Sequence, residues 1–379
     1  MGGAERLDVG PRKPQRRGLL VLAAIALTLL LAGVVLDRQR IERSVPAPDP
    51  TVTQPATSPT LTPSPAAPSP PGPVTVAVGA GPLGLQAPAG ALYIRTPDSL
   101  YVVDPSTGAV TRTDGTSLFT SGGQVSLVPV TGGVVLKPFD QLPGFLVLDG
   151  QPPARLSGRL QKPGEVLPGP QGGVWVLTSD NQIQQEVTAT LANPQGRELG
   201  PTLTMSGTFT SDGDSGLLLS DIGGTWQAHP GPVRRVTTGT VTAVGKQDYR
   251  LFDCNDSHHC TEALLNRRTR ARTAVDPLGR SYFAGGVLSP DTTMMASLHS
   301  TDGLLTTAII RLSDGKKLAD LPVADDYGSN AGGSAVWLSP RWLALIDDQQ
   351  LAFYDTTRNR LTRPDLPIND AVQLAWRPQ

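Results

Sequence analysis

The stretch that decides the fold covers residues 334–362 and reads SAVWLSPRWLALIDDQQLAFYDTTRNRLT. Four short runs of β-branched, aromatic and other apolar residues alternate in it with turn residues. A Ser-Pro turn follows the first run at Ser339 and Pro340, and an Asp-containing turn begins at Asp355 after the third run. Because the turn signals recur too often for a helix, the pattern predicts four short antiparallel strands joined in succession.

The same four-strand unit recurs along the chain toward the N-terminus. Earlier copies are predicted at Gly286–Pro322, Thr240–Thr273, Met205–Thr237, Glu165–Leu199 and Val125–Leu156, with an incomplete copy at Ala91–Thr113. Seven units share the 306 residues from Val74 to the end of the chain, or about 44 residues each, within the range of about 40–45 residues for propeller blades. The sequence therefore predicts an all-β, seven-bladed β-propeller over residues 74–379, with six or eight blades as alternatives.

The incomplete first unit gives the more specific evidence for a closed ring. Ala91–Thr113 holds three strands, and the missing inner strand is found at the other end of the chain, at Ala371–Pro378, which reads AVQLAWRP. A propeller closes its ring by pairing strands from the two chain ends, which leaves no open junction between blades. Val74–Val78 belongs to none of the seven units and is expected to add an outer strand or to cover an edge.

The turns carry a resemblance to a known family. Ser289-Pro290-Asp291, Ser339-Pro340-Arg341 and Trp376-Arg377-Pro378 occupy equivalent places in three units. In this respect the chain resembles TolB-like and WD40-like propellers. Together with the N-terminal anchor described below, it resembles the membrane-anchored extracytoplasmic propellers found in high-GC Gram-positive bacteria. The resemblance covers roughly residues 90–379 and implies the propeller fold with binding and scaffolding roles. It supplies no catalytic residues.

The N-terminal part of the chain predicts a membrane anchor followed by a stalk. Residues 18–36 form an uncharged apolar run of 19 residues, which at 1.5 Å per residue spans a bilayer as a helix of about 28 Å. Five Lys and Arg residues precede this run and three follow it, so the positive-inside rule predicts a cytoplasmic basic tail at 1–17. Residues 37–73, rich in Pro, Thr and Ser, are expected to be an extended extracytoplasmic linker.

The composition excludes several classes of protein. Charged residues make up 17% of the 379 residues, the formal net charge is −1, and Gly and Pro number 41 and 36. These values argue against a coiled coil, a charge-driven disordered chain and a nucleic-acid-binding protein. No arrangement of residues in the sequence predicts a catalytic set, a cofactor site or a metal site.

Two cysteines flank a predicted hairpin loop. Cys254 and Cys260 enclose five polar residues between strand-like runs, a separation at which two Cα atoms reach the distance that a disulfide requires. Outside the cytoplasm such a pair is oxidised. A metal site formed with His258 and His259, and free thiols, are the alternatives.

Six arginines are candidates for a surface that binds an anionic partner such as lipid headgroups or a cell-wall polymer. They are Arg234, Arg235, Arg267, Arg268, Arg270 and Arg272. If the outer strands of two neighbouring blades align, their guanidinium groups would form one stripe. The alternative is that these charges protect exposed sheet edges from pairing with other chains.

Together these features predict a single-pass protein that presents a propeller outside the cell membrane as a binding or scaffolding module for a protein, glycan or other envelope ligand. A propeller-type hydrolase or lyase with its site at the mouth of the central channel is the main alternative. A purely structural spacer or assembly factor is the third.

Overall fold

The structure is a computed structural model that describes residues 77–80, 87–114, 125–139, 143–181, 186–213, 216–221, 223–229, 231–254, 260–275, 286–301, 304–321 and 333–379. The predicted basic tail, membrane span and Pro-rich linker lie outside these residues. Within them, no helix has the length and apolar character needed to cross a membrane.

The strands are short and follow one another closely. They begin with β1 Ala77–Ala80, β2 Gly90–Arg95, β3 Ser99–Val103, β4 Val110–Asp114, β5 Val125–Val130, β6 Gly133–Pro138, β7 Phe145–Leu148, β8 Ala154–Arg155, β9 Glu165–Pro168 and β10 Val174–Asn181. They continue with β11 Glu186–Ala192, β12 Glu198–Ser206, β13 Thr208–Ser211, β14 Leu217–Asp221, β15 Gly224–His229, β16 Arg234–Thr237, β17 Thr240–Val244, β18 Asp248–Cys254, β19 Cys260–Asn266 and β20 Arg272–Ala274. The last are β21 Val287–Leu288, β22 Met294–Thr301, β23 Leu304–Arg311, β24 Lys317–Leu321, β25 Ala335–Trp337, β26 Trp342–Asp347, β27 Gln350–Asp355, β28 Arg360–Arg363 and β29 Gln373–Pro378. Two short 3-10 helices span Gly158–Gln161 and Pro170–Gly172.

These strands form seven antiparallel sheets, which are the blades of a propeller. Blade 1 has the order β29-β2-β3-β4, and blades 2 to 7 are β5–β8, β9–β12, β13–β16, β17–β20, β21–β24 and β25–β28. The inner strands β29, β5, β9 and β13 contact one another in turn, as do β17, β21, β25 and again β29, and β15 contacts β17 between blades 4 and 5. The prediction of a seven-bladed all-β propeller is confirmed.

The chain end closes the ring as an inner strand. β29 pairs with β2 along its whole length, from Gln373 opposite Arg95 to Pro378 opposite Gly90. The Gln373 side-chain amide donates to the carbonyl of Val125 in blade 2 at 2.8 Å. On the other side, the N–H of Leu374 donates to the carbonyl of Gly333, just before blade 7, at 3.0 Å. The closing strand therefore forms hydrogen bonds with the segments on both sides of blade 1, one in blade 2 and one just before blade 7.

The extra strand before blade 1 covers an outer edge. β1 pairs in parallel with β28, the outer strand of blade 7. The sequence predicted this strand at Val74–Val78, whereas the described strand is Ala77–Ala80. Covering this edge leaves fewer unpaired backbone groups available to another chain.

The core lies between the blades, so both faces of a central strand are buried. In β10, Trp175 and Leu177 pack in a cluster with residues of blade 4, while Val174 and Val176 pack in a cluster with residues of blade 2. Successive side chains of a strand point to opposite faces. This explains why the blade strands appear in the sequence as continuous apolar runs without polar alternation.

The Ser-Pro turns are held by the serine hydroxyl. In blade 6, the Ser289 hydroxyl donates to Asp291 Oδ1 at 2.7 Å and accepts the N–H of Met294 at 3.0 Å. In blade 7, the N–H of Trp342 donates to the Ser339 hydroxyl at 3.2 Å. In both blades the serine hydroxyl therefore accepts a hydrogen bond from the N–H of the first residue of the next strand.

The Asp-containing turns after the third strands have a similar local basis. In blade 1, the N–H of Ser106 donates to Asp104 Oδ1 at 2.9 Å, and Gly108 closes the turn with a φ of 76°, which favours glycine. In blade 7, Asp355 accepts from Arg341, with 2.6 Å between Oδ2 and Nη2. Arg341 follows the Ser-Pro turn of the same blade, so this ion pair joins the two turns.

Side-chain contacts also run from blade to blade. The Trp175 ring in blade 3 lies edge-on to the His229 ring in blade 4, with 4.9 Å between centroids. Asp212 in blade 4 pairs with Arg267 in blade 5 at 2.7 Å. The Arg267 guanidinium lies over the Tyr249 ring, 5.0 Å from its centroid. Side-chain contacts thus link blade 3 to blade 4 and blade 4 to blade 5.

Candidate binding sites

A recess lies between blades 3 and 4, at the end of the ring where the inner strands begin. Its lining includes Glu165 and Thr208, the first residues of β9 and β13, and it has a volume of about 220 Å³. Ser179 near the end of β10 and Val187 near the start of β11 also line the recess. Because neighbouring strands are antiparallel, these ends all meet on one face of the propeller.

Two glycines shape the recess. Gly164 and Gly207 directly precede the inner strands and have φ values of 139° and 133°. A Cβ atom on Gly164 would lie 1.9 Å from the carbonyl oxygen of Leu177, and one on Gly207 would lie 2.6 Å from that of Ser220. Only glycine allows the backbone to approach its neighbour so closely at both positions.

Apolar side chains form the walls of the recess. Leu177 and Phe209 are 6% and 3% exposed and belong to the hydrophobic cluster between blades 3 and 4. Val187 packs against the same cluster. The recess therefore opens directly onto the core between these two blades.

Glu165 is the single ionisable side chain in the described lining. Leu167, two residues later, packs into the cluster between blades 3 and 4, while Val166 packs toward blade 2. The alternation of the strand therefore directs Glu165 toward blade 4 and the recess. Burial raises the pKa of the Glu165 carboxyl. Among the described residues, none donates a hydrogen bond to this carboxylate or forms an ion pair with it.

A carboxylate without a partner beside apolar walls is suited to binding a cation. Burial penalises the charged carboxylate, and a positive group placed beside it would offset that cost. Thr208 and Ser179 are exposed and add hydroxyl groups that can accept hydrogen bonds at the rim. The site has the composition of a binding recess with one charged anchor point.

Sequence reasoning missed Glu165, although a signal was present. The other inner strands begin with Gln373, Val125, Thr208, Thr240, Val287 and Ala335. Glu165 is thus the one ionisable residue at the first position of an inner strand. Its significance depends on the apposition of blades 3 and 4, which the repeat pattern alone does not describe.

The six predicted arginines lie on the outer parts of blades 4 and 5. Arg234 and Arg235 are on β16, Arg272 is on β20, and the other three lie in the turn between β19 and β20. Arg270 reaches across and donates to the carbonyls of Arg235 and Val236 at 3.3 and 3.2 Å. The structure therefore brings the outer parts of these two blades together, as the stripe requires.

Most of these guanidinium groups already have partners within the chain. Arg267 pairs with Asp212, and Arg272 pairs with Asp253 at 2.6 Å. Arg234 donates to Gln227 Oε1 at 2.7 Å, and the Arg235 guanidinium lies over the Trp226 ring at 5.5 Å. These contacts tie the strands and turns of the two blades to one another.

Arg268 lies exposed in the turn between β19 and β20. With the exposed Arg234 and Arg235 it leaves positive charge on the outer surface. The anionic-partner patch stays a prediction.

The two cysteines are in register at the end of one hairpin. Cys254 ends β18, Cys260 begins β19, and their Cα atoms are paired partners in the antiparallel ladder. This is the arrangement that the predicted disulfide needs. The Cys254 side chain and the loop 255–259 lie outside the described residues, so the bond remains a prediction. In the part of the chain that the structure describes, no group of His, Cys, Asp and Glu side chains is arranged to hold a metal ion.

Comparison with known proteins finds distant structural similarity and no family. No family model and no curated protein matches this sequence. Similar solved structures include TolB from Acinetobacter baumannii, with 12% identity over 78% of this chain and 68% of that chain and a TM-score of 0.39. Apo AztD from Citrobacter koseri has 12% identity over 77% and 98% of the two chains and a TM-score of 0.46. The β-propeller domain of the Trilobed protease from Pyrococcus furiosus has 8% identity over 74% and 94% and a TM-score of 0.45.

The chain has a seven-bladed β-propeller fold. The seven sheets of the structure establish this by themselves. At identities of 8–12% and TM-scores below 0.5, these structures indicate neither a ligand nor an activity for this chain.

Proposed function

We propose that this protein is a membrane-anchored propeller that binds a protein of the cell envelope on the extracytoplasmic side. The observation that carries the proposal is the recess at Glu165, a cavity with a partly buried carboxylate that has no partner among the described residues. A rigid ring that displays such a cavity on one face is suited to holding a partner in a defined orientation. The uncharged run at 18–36 and the Pro-rich linker at 37–73 support the location.

The experiment is crosslinking in cells with the full-length tagged protein, followed by mass spectrometry of the captured proteins. The matched control keeps the anchor and linker, residues 1–73, and lacks the propeller. We expect an envelope protein that is captured reproducibly by the full chain and is absent from the anchor-only control. Capture of the same proteins by both forms would contradict the proposal.

The location has a separate test. A protease added to intact cells or spheroplasts should remove the propeller and leave the short tail at 1–17 protected, because the membrane shields the cytoplasmic side. A C-terminal tag that survives protease until the membrane is permeabilised would place the propeller on the cytoplasmic side and contradict this part of the proposal.

A further inference from the structure

We infer that the recess between blades 3 and 4 receives a lysine side chain of the partner protein, with its ammonium group beside Glu165. This inference rests on the proposed function and specifies the chemistry of its site. Three properties of the recess support it, namely its size, its apolar walls and its single charge.

The size of the recess fits one side chain. Its volume is about 220 Å³. Cavities that enclose a drug-sized ligand are larger, at about 300–1,000 Å³. The volume is several times the share of about 30 Å³ that one water molecule takes in the liquid. A single long side chain inserted from a partner surface matches this scale.

The walls suit a flexible aliphatic stem. Leu177, Val187 and Phe209 belong to or pack against one apolar cluster. The four methylene groups of lysine can lie along such a surface while the charged end reaches a polar group. An acidic or purely polar side chain would bury its polar atoms against these walls without compensation.

The charge determines which end of the side chain is recognised. Glu165 is the one ionisable group in the described lining, and no described residue pairs with it. An ammonium group beside it would form a charge-assisted hydrogen bond in a partly buried site, where such bonds are strong. The hydroxyl groups of Thr208 and Ser179 can accept hydrogen bonds from its remaining N–H groups.

Lysine fits this site better than arginine. An arginine presents five donors in a planar fork and is best satisfied by bidentate or stacked partners. The recess offers one carboxylate, and its aromatic side chain, Phe209, is 3% exposed within the core cluster. A compact ammonium on a flexible stem matches one carboxylate with nearby hydroxyl groups.

The test uses small probes on the purified full-length protein in nanodiscs. Saturation-transfer NMR measures binding of Nα-acetyl-lysine methylamide, and Nα-acetyl-norleucine methylamide is the matched probe without the amine. The arginine analogue is the third probe. We expect saturable binding of the lysine probe at about millimolar concentration, as befits so small a ligand. We expect the other two probes to bind at least about tenfold more weakly.

The variant Glu165→Gln tests the anchor residue directly. We expect it to weaken binding of the lysine probe at least about tenfold, because it removes the charge and keeps the size. The matched control is Glu198→Gln on β12 of the same blade, where the side chain is 57% exposed. This control should bind the probe as the unmodified protein does. Equal binding of the norleucine probe, unchanged binding by Glu165→Gln or no saturable binding of the lysine probe would overturn the inference.

The two proposals fail in different ways. If crosslinking captures the same partner with Glu165→Gln as with the unmodified chain, the binding function stands and the lysine inference is overturned. If no partner is captured but the lysine probe binds in a Glu165-dependent manner, the recess chemistry stands and the protein-binding function fails. The unfolding temperature of Glu165→Gln should be at least that of the unmodified chain, because the change removes a partly buried charge that has no described partner.

Discussion

Arg267 in blade 5 forms an ion pair with Asp212 in blade 4, with 2.7 Å between Nη2 and Oδ2. The Arg267 side chain is 15% exposed and that of Asp212 is 1% exposed. Asp212 also accepts the N–H of Gly216 at 2.7 Å, and Arg267 donates to the carbonyl of Gly245 at 3.0 Å. The pair therefore joins the turns of two blades and leaves little of either charge in water.

Breaking this pair should destabilise the propeller. Replacement Arg267→Met leaves the Asp212 carboxylate buried without its cation, and removal of one partner of a buried pair costs about 3 kcal/mol of unfolding free energy. The control is Arg311→Met, which breaks the pair of Arg311 and Asp314 where both side chains are more than 40% exposed. That change should leave the unfolding free energy nearly unchanged, because both charges lie in water. Urea unfolding measures both, and equal effects would contradict a special role for the inter-blade pair.

His229 should make the free energy of unfolding depend on pH. Burial lowers the pKa of His229 below its usual value of 6.5, and the Asp212 carboxylate opposes this shift. As the pH falls below about 6.5, the unfolded chain binds a proton at this residue more readily than the folded chain. Stability is therefore lost on acidification and levels off once the pH is below the lowered pKa.

The replacement His229→Phe tests this dependence. It keeps an aromatic ring beside Trp175 and removes the titrating group. The fall in unfolding temperature from about pH 7.5 to about pH 5 should be smaller in the variant than in the unmodified chain. An identical fall in both would show that other groups dominate the acid response.

Removal of the closing strand should disrupt the ring. Deletion of Asp370–Gln379 takes away β29, whose loss exposes the edge of β2 and the buried side chains of Leu92 and Ile94. We expect loss of cooperative unfolding or of soluble expression of the propeller. The control replaces Ala77–Ala80 with glycine and serine, because β1 is an added outer strand and its loss leaves the ring intact. A deletion variant that melts like the unmodified chain would refute closure by β29.

The cysteine pair should be oxidised outside the cytoplasm. A thiol-blocking reagent is expected to label neither Cys254 nor Cys260 until a reductant is added, since their Cα atoms are paired across the hairpin. The replacement Cys260→Ser should lower the unfolding free energy by about 2 kcal/mol in the absence of reductant, because the closed loop is short. With reductant present, the variant and the unmodified protein should have similar stability. Labelling of both cysteines in protein extracted without reductant would contradict the bond and the outward placement.

The blades could be predicted from the sequence because each is held by local contacts. The Ser289 hydroxyl and the Asp104 carboxylate accept hydrogen bonds from backbone N–H groups within a few residues of themselves. Apolar runs separated by such turns therefore already specify a four-stranded sheet. The position of the closing strand also followed from the pattern, since one unit lacked its first strand and Ala371–Pro378 had no unit of its own.

The partners of individual side chains could not be predicted in the same way. The sequence places Arg267 among six arginines that would form one stripe, but its partner Asp212 lies 55 residues earlier in the chain. The sequence pattern does not distinguish Glu165, because a lone acidic residue at the start of a strand indicates no site until the residues packed opposite it in the next blade are known. Contacts of this range depend on how neighbouring blades pack.

The sequence by itself determined the class of fold, the repeat and its permuted closure, since turn chemistry and apolar periodicity act over a few residues. The tertiary structure decided which side chains meet across the blade interfaces. It directs the carboxylate of Glu165 toward an apolar recess walled by Phe209 of the next blade, and it joins Asp212 to Arg267. The physical reason is that burial and electrostatic pairing are properties of surfaces brought together from distant parts of the chain.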